Sequence, residues 1–168
     1  MIEVKIKDAA LRKAAGDMDE FVQVFVNAIQ NAIGGELTVE IMQQLNSDQI
    51  TLLAWNILHG EVMDGGFIQL IHNGYGGFIF INPTDKAFRE WGLEELCSLI
   101  RHAHKSYNKH KNVIERECSD EEFMVLYEQM SEFDDYDDAF IEHEEQWTSA
   151  VAHYIDGHID NFATIITE

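Results

Sequence analysis

The stretch DDYDDAFIEHEEQWTSAVAHY, residues 134–154, carries two patterns at once. Tyr136, Phe140, His143, Trp147, Val151 and Tyr154 recur at steps of four, three, four, four and three residues. That spacing stacks side chains along one face of an α-helix, whereas a strand would need alternation. Asp135, Asp138, Glu142 and Glu145 repeat at steps of three, four and three on the other face. The stretch therefore reads as an amphipathic helix with one apolar and one acidic stripe.

The same period runs outward in both directions. Downstream, Ile159, Phe162 and Ile165 supply a last apolar face. Upstream, Ser119 stands where a cap belongs, ahead of Phe123, Leu126, Tyr127 and Met130. Nearer the N-terminus, Met18, Phe21, Val22, Phe25, Val26, Ile29 and Ile33 form a helix that opens at Asp17 and stops at Gly34 and Gly35. Thr38 caps a short helix with Ile41, Met42 and Leu45, and Ser47 caps the next, with Ile50, Leu53, Ala54, Ile57 and Leu58 on its buried side. Pro83, the only proline, opens a new helix with Asn82 as its cap. Periodicity then continues through Phe88, Trp91, Leu93, Leu96, Cys97 and Ile100, and Arg101, Lys105, Lys109 and Lys111 gather toward the helix C-terminus, where the dipole favours cations.

Two regions depart from this rule. Ile2, Val4 and Ile6 alternate with charged residues, so residues 1–16 read as a short extended segment or an irregular arm. Residues 60–83, GEVMDGGFIQLIHNGYGGFIFINP, hold most of the closely spaced glycines and read as irregular, with residues 78–81 a short strand or buried coil. With no convincing strand or internal repeat, the expected fold is all-α: a compact single-domain multi-helix bundle over residues 1–168.

The chain has 11 Lys and Arg against 31 Asp and Glu, a net charge of −20. The charge is polarised along the sequence: residues 117–168 hold sixteen carboxylates and no Lys or Arg, while residues 1–116 net only −4. Ten Phe, five Tyr and three Trp place this charge on a folded surface, because disordered acidic chains are poor in aromatics. Such a surface is repelled by nucleic acid and anionic membranes and attracted to basic proteins. Cys97 and Cys118 lie in no metal or redox spacing. No signal-type apolar region or 18-residue apolar run occurs, so a cytoplasmic protein is expected.

The acidic stripe is the leading candidate site, centred on Asp134, Asp135, Asp137, Asp138, Glu142, Glu144 and Glu145, with Glu121, Glu122, Glu128 and Glu132 extending it from the preceding helix. Like charges three and four residues apart cost a helix roughly 0.2–0.5 kcal/mol per pair. No interleaved base offsets that cost, and a basic partner would. The bland alternative is a solubilised scaffold whose carboxylates scatter over several faces. DDYDD at 134–138 matches an aspartate-rich magnesium motif of isoprenoid synthases, but diphosphate chemistry needs a basic clamp that nothing after Arg116 supplies. The EF-hand frame fails for want of Gly and Glu at the required positions. His102 with His104, and His153 with His158, are badly spaced for one metal, and His143 sits on the apolar stripe. No metal, cofactor or catalytic residue is expected. A different class of function, an enzyme or small-ligand site, would centre on Glu61, Asp64, Gln69, His72 and Asn73, where polar groups and glycines converge.

Residues 60–76, GEVMDGGFIQLIHNGYG, resemble a signature segment of the bacterial DNA mimic protein (DMP-type) family. Gly60, Glu61, Val62, Gly65, Gly66, Phe67, Gln69 and Asn73 match it, while Asp64 replaces a usual Asn and Leu70 a usual aromatic. Less specific similarity covers about residues 40–165, including the closing acidic helices. The resemblance implies an all-α domain whose acidic face imitates the phosphates of duplex DNA. It further implies occupation of the DNA-binding surface of a basic protein such as a helix-turn-helix transcription factor. It implies no oligomeric state. Fold membership does not by itself transfer function.

Overall fold

The chain begins with a three-residue strand, β1 (Lys5–Lys7), and passes directly into α1 (Asp8–Ala14) in the computed structural model, which describes residues 1–167. Glu168, the last of the sixteen carboxylates, lies outside the described residues. The extended reading of the first residues is correct, but residues 8–14 are helical and not an irregular arm, supported by an Arg12–Asp8 ion pair at 2.8 Å one turn apart.

In α2 (Met18–Ile33) Asp17 accepts the Glu20 amide at 3.2 Å, Val22, Phe25, Val26 and Ile29 are buried, and Gly34 ends the helix at φ 72°. That left-handed conformation is one Gly adopts at little steric cost. Thr38 caps α3 (Val39–Met42). Next, α4 (Ser47–His72) is capped by Asn46 and not by Ser47. Asn46 accepts the Gln49 amide at 2.8 Å while Gln49 accepts the Asn46 amide at 3.0 Å, so each side chain satisfies the other residue's backbone donor at the helix start.

The glycine segment is more regular than expected. Helix α4 continues through it to His72, broken at Gly66 by φ 81° and ψ −178°. Residues 78–81 belong to a π-helical turn, Gly77–Ile81, neither strand nor coil. Pro83, rather than the Asn82 side chain, stands at the start of α5 (Thr84–Glu90). There follow α6 (Glu94–Ile114), α7 (Asp120–Gln129), α8 (Glu132–Gly157) and α9 (Ile159–Phe162). A strand β2 (Thr164–Ile166) then pairs in parallel with β1, Ile6 opposite Ile165. This ladder corrects the expectation of no strands; the fold is otherwise all-α.

Two compact units are distinguished. The first comprises Met1–Leu53 with Gln146–Glu168. Its core includes Phe25, Ile29, Leu52, Val151, Ile155 and Phe162, with Phe25 edge-on to Phe162 at 6.2 Å. The Gln49 side-chain amide donates to the Phe162 carbonyl at 3.0 Å, and the Tyr154 hydroxyl to Asp48 at 3.1 Å. The second unit, Ala54–Glu145, is packed largely by aromatics. Trp55 stacks on Phe140 at 5.9 Å, Phe80 on Tyr107 at 4.9 Å, and Phe67 meets Phe140 edge-on at 6.5 Å. The glycine segment and the acidic half of α8 both belong to this second unit. Among the described residues, no helix is long and apolar enough to cross a membrane.

Candidate functional site

Helix α8 opens with Glu132, Asp134 and Asp135 in its first turn, where the helix dipole favours negative charge. Burial of Phe133 and Phe140 then sets its rotation. Asp134, Asp135, Asp138, Glu142 and Glu145 are exposed, and among the described residues none of the five forms an ion pair. On α7, Glu121, Glu122 and Glu128 are exposed too. Glu122 belongs to a capping box with Ser119, each accepting the other's backbone N–H at 3.2 Å.

Three carboxylates expected on the acidic face lie elsewhere. Asp137, 6% exposed, follows Phe133 by four residues and precedes Phe140 by three, so it falls on the buried stripe. Its Oδ1 accepts the Phe67 N–H at 2.8 Å, and its carboxylate lies against the Cα of Gly66 where any Cβ would stand. Among the described residues its Oδ2 lacks a partner at full hydrogen-bond geometry. Burial pushes its pKa up to about 6, helped by the charges of Asp134 and Asp138 and opposed by the Phe67 N–H and the nearby Tyr127 hydroxyl. Tyr127 is in turn raised by burial and by the charge of Asp137. Glu144, four residues beyond Phe140, is half-buried and accepts from His59 Nε2 at 2.6 Å. Glu132 is half-buried, accepting from Ser106 Oγ at 2.8 Å and from His110 Nε2. The Ser106 hydrogen bond and the His110 contact hold its carboxyl below the usual range.

These placements break up DDYDD: the helix turns Asp137 inward and leaves Asp134, Asp135 and Asp138 at the surface. Among the described residues no three His, Cys, Asp or Glu side chains converge so as to hold a metal ion. His143 is half-buried, its Nδ1 donating to the Ala139 carbonyl at 2.8 Å. The signal for Asp137 was present in the sequence, since including Phe133 in the apolar stripe places residue 137 on the buried face. Nothing in the sequence pointed to His59, Ser106 or His110 as partners, because those contacts join helices distant along the chain.

The polar residues of the glycine segment satisfy one another. The Gln69 side-chain amide donates to Glu61 at 2.7 Å and to Asp64 at 3.0 Å, and the Asn73 amide donates to Glu61 at 3.0 Å. Gly65 leaves the space that the Gln69 side chain fills. His72 turns away, pairing through Nδ1 with the Ile114 carbonyl at 2.8 Å. An open groove of about 440 Å³ borders Asn56, Gly60, Glu61, Asp64 and Gln69. The mutual bonds favour a structural role for these groups.

A family model described as DMP19-like protein matches residues 43–158, a span that contains both the glycine segment and every acidic residue of the candidate face. The chain belongs to the DMP19-like protein family. A relative, the DNA mimic protein DMP19 of Neisseria meningitidis serogroup B (strain ATCC BAA-335 / MC58), is 34% identical over 127 residues, covering 75% of this chain and 77% of that protein. That relative is named for mimicry and not for a catalytic activity. In this DMP19-like chain the glycine segment is physically joined to the acidic helix, since Gly66 and Phe67 receive Asp137.

Proposed function

We propose that this chain is a DNA mimic: Asp134, Asp135, Asp138, Glu142 and Glu145 of α8, with Glu121, Glu122 and Glu128 of α7, occupy the basic DNA-binding surface of a regulator such as a helix-turn-helix transcription factor. The observation that carries the reading is the exposed, unpaired row on α8. From Asp134 to Glu145 the helix rises about 16 Å. Five carboxylates over that length give roughly one charge per 3–4 Å, against one phosphate per about 3.4 Å along a DNA strand. A rigid row at that pitch competes for the Lys and Arg that would otherwise contact phosphates. The relative's name supports the same reading. A cytoplasmic, non-catalytic role in transcription fits it, as does treating residues 1–168 as one functional domain.

The test is retention of proteins from the source cell's lysate at low salt on immobilised wild type and on a variant carrying Asp135→Asn, Asp138→Asn, Glu142→Gln and Glu145→Gln. Wild type should retain DNA-binding proteins that competing duplex DNA or a salt step releases, and the variant should lose them. Equal retention by the variant, or retention that duplex DNA does not disturb, would sink the proposal.

A further inference from the structure

Helix α7 exposes two adjacent apolar side chains among its acids. Met124 is 57% and Val125 49% exposed, and neither is needed for the inward face formed by Phe123, Leu126 and Tyr127. Glu121, Met124, Val125 and Glu128 stand at steps of three, one and three, so the outward face reads acid, apolar pair, acid. Beside it lies a groove of about 250 Å³ lined by Val113, Cys118, Val125 and Leu126, with Arg116 and Glu122 as its polar members. Val113, on the last turn of α6, is itself 39% exposed. A face meant only for solubility gains nothing from this, whereas an interface gains a centre that excludes water.

Resting on the reading of this chain as a DNA mimic, we propose that the Val113–Met124–Val125 patch is the specificity element of the interface, receiving an apolar side chain that the regulator carries beside its basic DNA-contacting residues. The occupant follows from charge complementarity. Glu121 and Glu128 bracket Met124 and Val125 on the exposed face of α7, and Glu122 lines the groove along with Arg116, so the acids on α7 favour a cover that presents Lys or Arg around an apolar centre. DNA offers phosphates and grooves but no comparable exposed aliphatic patch. Carboxylates alone attract every DNA-binding protein, and the apolar contact distinguishes one of them.

Charge and burial differ in their response to salt, which separates the two ideas. Binding to the DNA-eluted partner is measured from low to high salt for wild type, for Met124→Ser/Val125→Ser, and for the four-carboxylate variant, with a lysine homopolymer as a charge-only probe. The apolar variant should lose about tenfold in affinity for the partner at every salt concentration, keep the wild-type salt slope, and bind polylysine unchanged. Both positions are exposed, and thermal melts confirm that the variants fold. Unchanged partner affinity in the apolar variant, alongside loss in the carboxylate variant, overturns the specificity element and leaves mimicry standing. Loss of polylysine binding overturns it too, and so does a drop in wild-type mass by light scattering on the same substitution, which would make a second copy the occupant. If wild type retains no DNA-eluted partner, both readings fall together.

Discussion

At the scale of one residue, Asp137 ties two parts of the second unit together at a cost set by pH. Its rise from the ordinary 3.8 to about 6 means that the folded chain holds the proton more tightly than the unfolded chain does. The resulting stabilisation is complete below about pH 4 and is lost as pH rises through about 6; the difference is on the order of 3 kcal/mol. Asp137→Asn keeps the oxygen that accepts the Phe67 N–H and removes the titration. Urea unfolding between pH 5 and 7.5, a window above most surface carboxylates, should show wild type losing stability as pH rises and the variant losing markedly less. Parallel curves for the two proteins would contradict this origin of the dependence.

At the scale of elements, α7 is held by few buried side chains, and none of its own residues is fully buried. Its N-terminus depends on the Ser119–Glu122 capping box. Ser119→Ala should cost about 1 kcal/mol locally. Amide exchange over residues 120–129 should then quicken by about fivefold while the global melting temperature barely moves. A global drop would show that α7 unfolds only with the rest of its unit. Elements like this were legible in the sequence because their signals are local: Ser119, Thr38 and Asp17 each cap a helix as read, and Gly34 stops one. What escaped reading depends on contacts between distant segments. Residues 78–81 carry an apolar run equally compatible with strand or coil, and only their packing, with Phe80 against Tyr107, selects a π-helical turn. The acidic face was legible as a stripe. The inward turn of Asp137 is legible only once Phe133, the more deeply buried residue, joins Tyr136 in the apolar stripe, and that of Glu144 depends on His59, far away along the chain.

For the whole molecule, a net charge of −20 opposes folding and favours a basic partner, so salt should act in opposite directions on the two. Raising NaCl from about 50 to 500 mM shortens the Debye length to a few ångströms. Self-repulsion between carboxylates is screened by the same ions that weaken attraction to a basic surface. The melting temperature of the free chain should therefore rise by several degrees over that range while affinity for a basic DNA-binding protein falls by orders of magnitude. A melting temperature that stays level would mean the exposed carboxylates do not strain the fold.

The pairing of β1 with β2 sets an order of events during synthesis. The first unit draws on both ends of the chain, Met1–Leu53 and Gln146–Glu168, and Thr164 donates its amide to the Val4 carbonyl at 2.8 Å. Between Leu53 and Gln146 the ribosome works for roughly 5 to 20 seconds at ordinary elongation rates. Through that interval Phe25 waits for Phe162, and β1 for its only neighbouring strand among the described residues, while the residues of Ala54–Glu145 emerge in one run. The unit bearing most of the acidic row is thus available in full before the first unit, whose early helices gain their C-terminal packing partners only at the end.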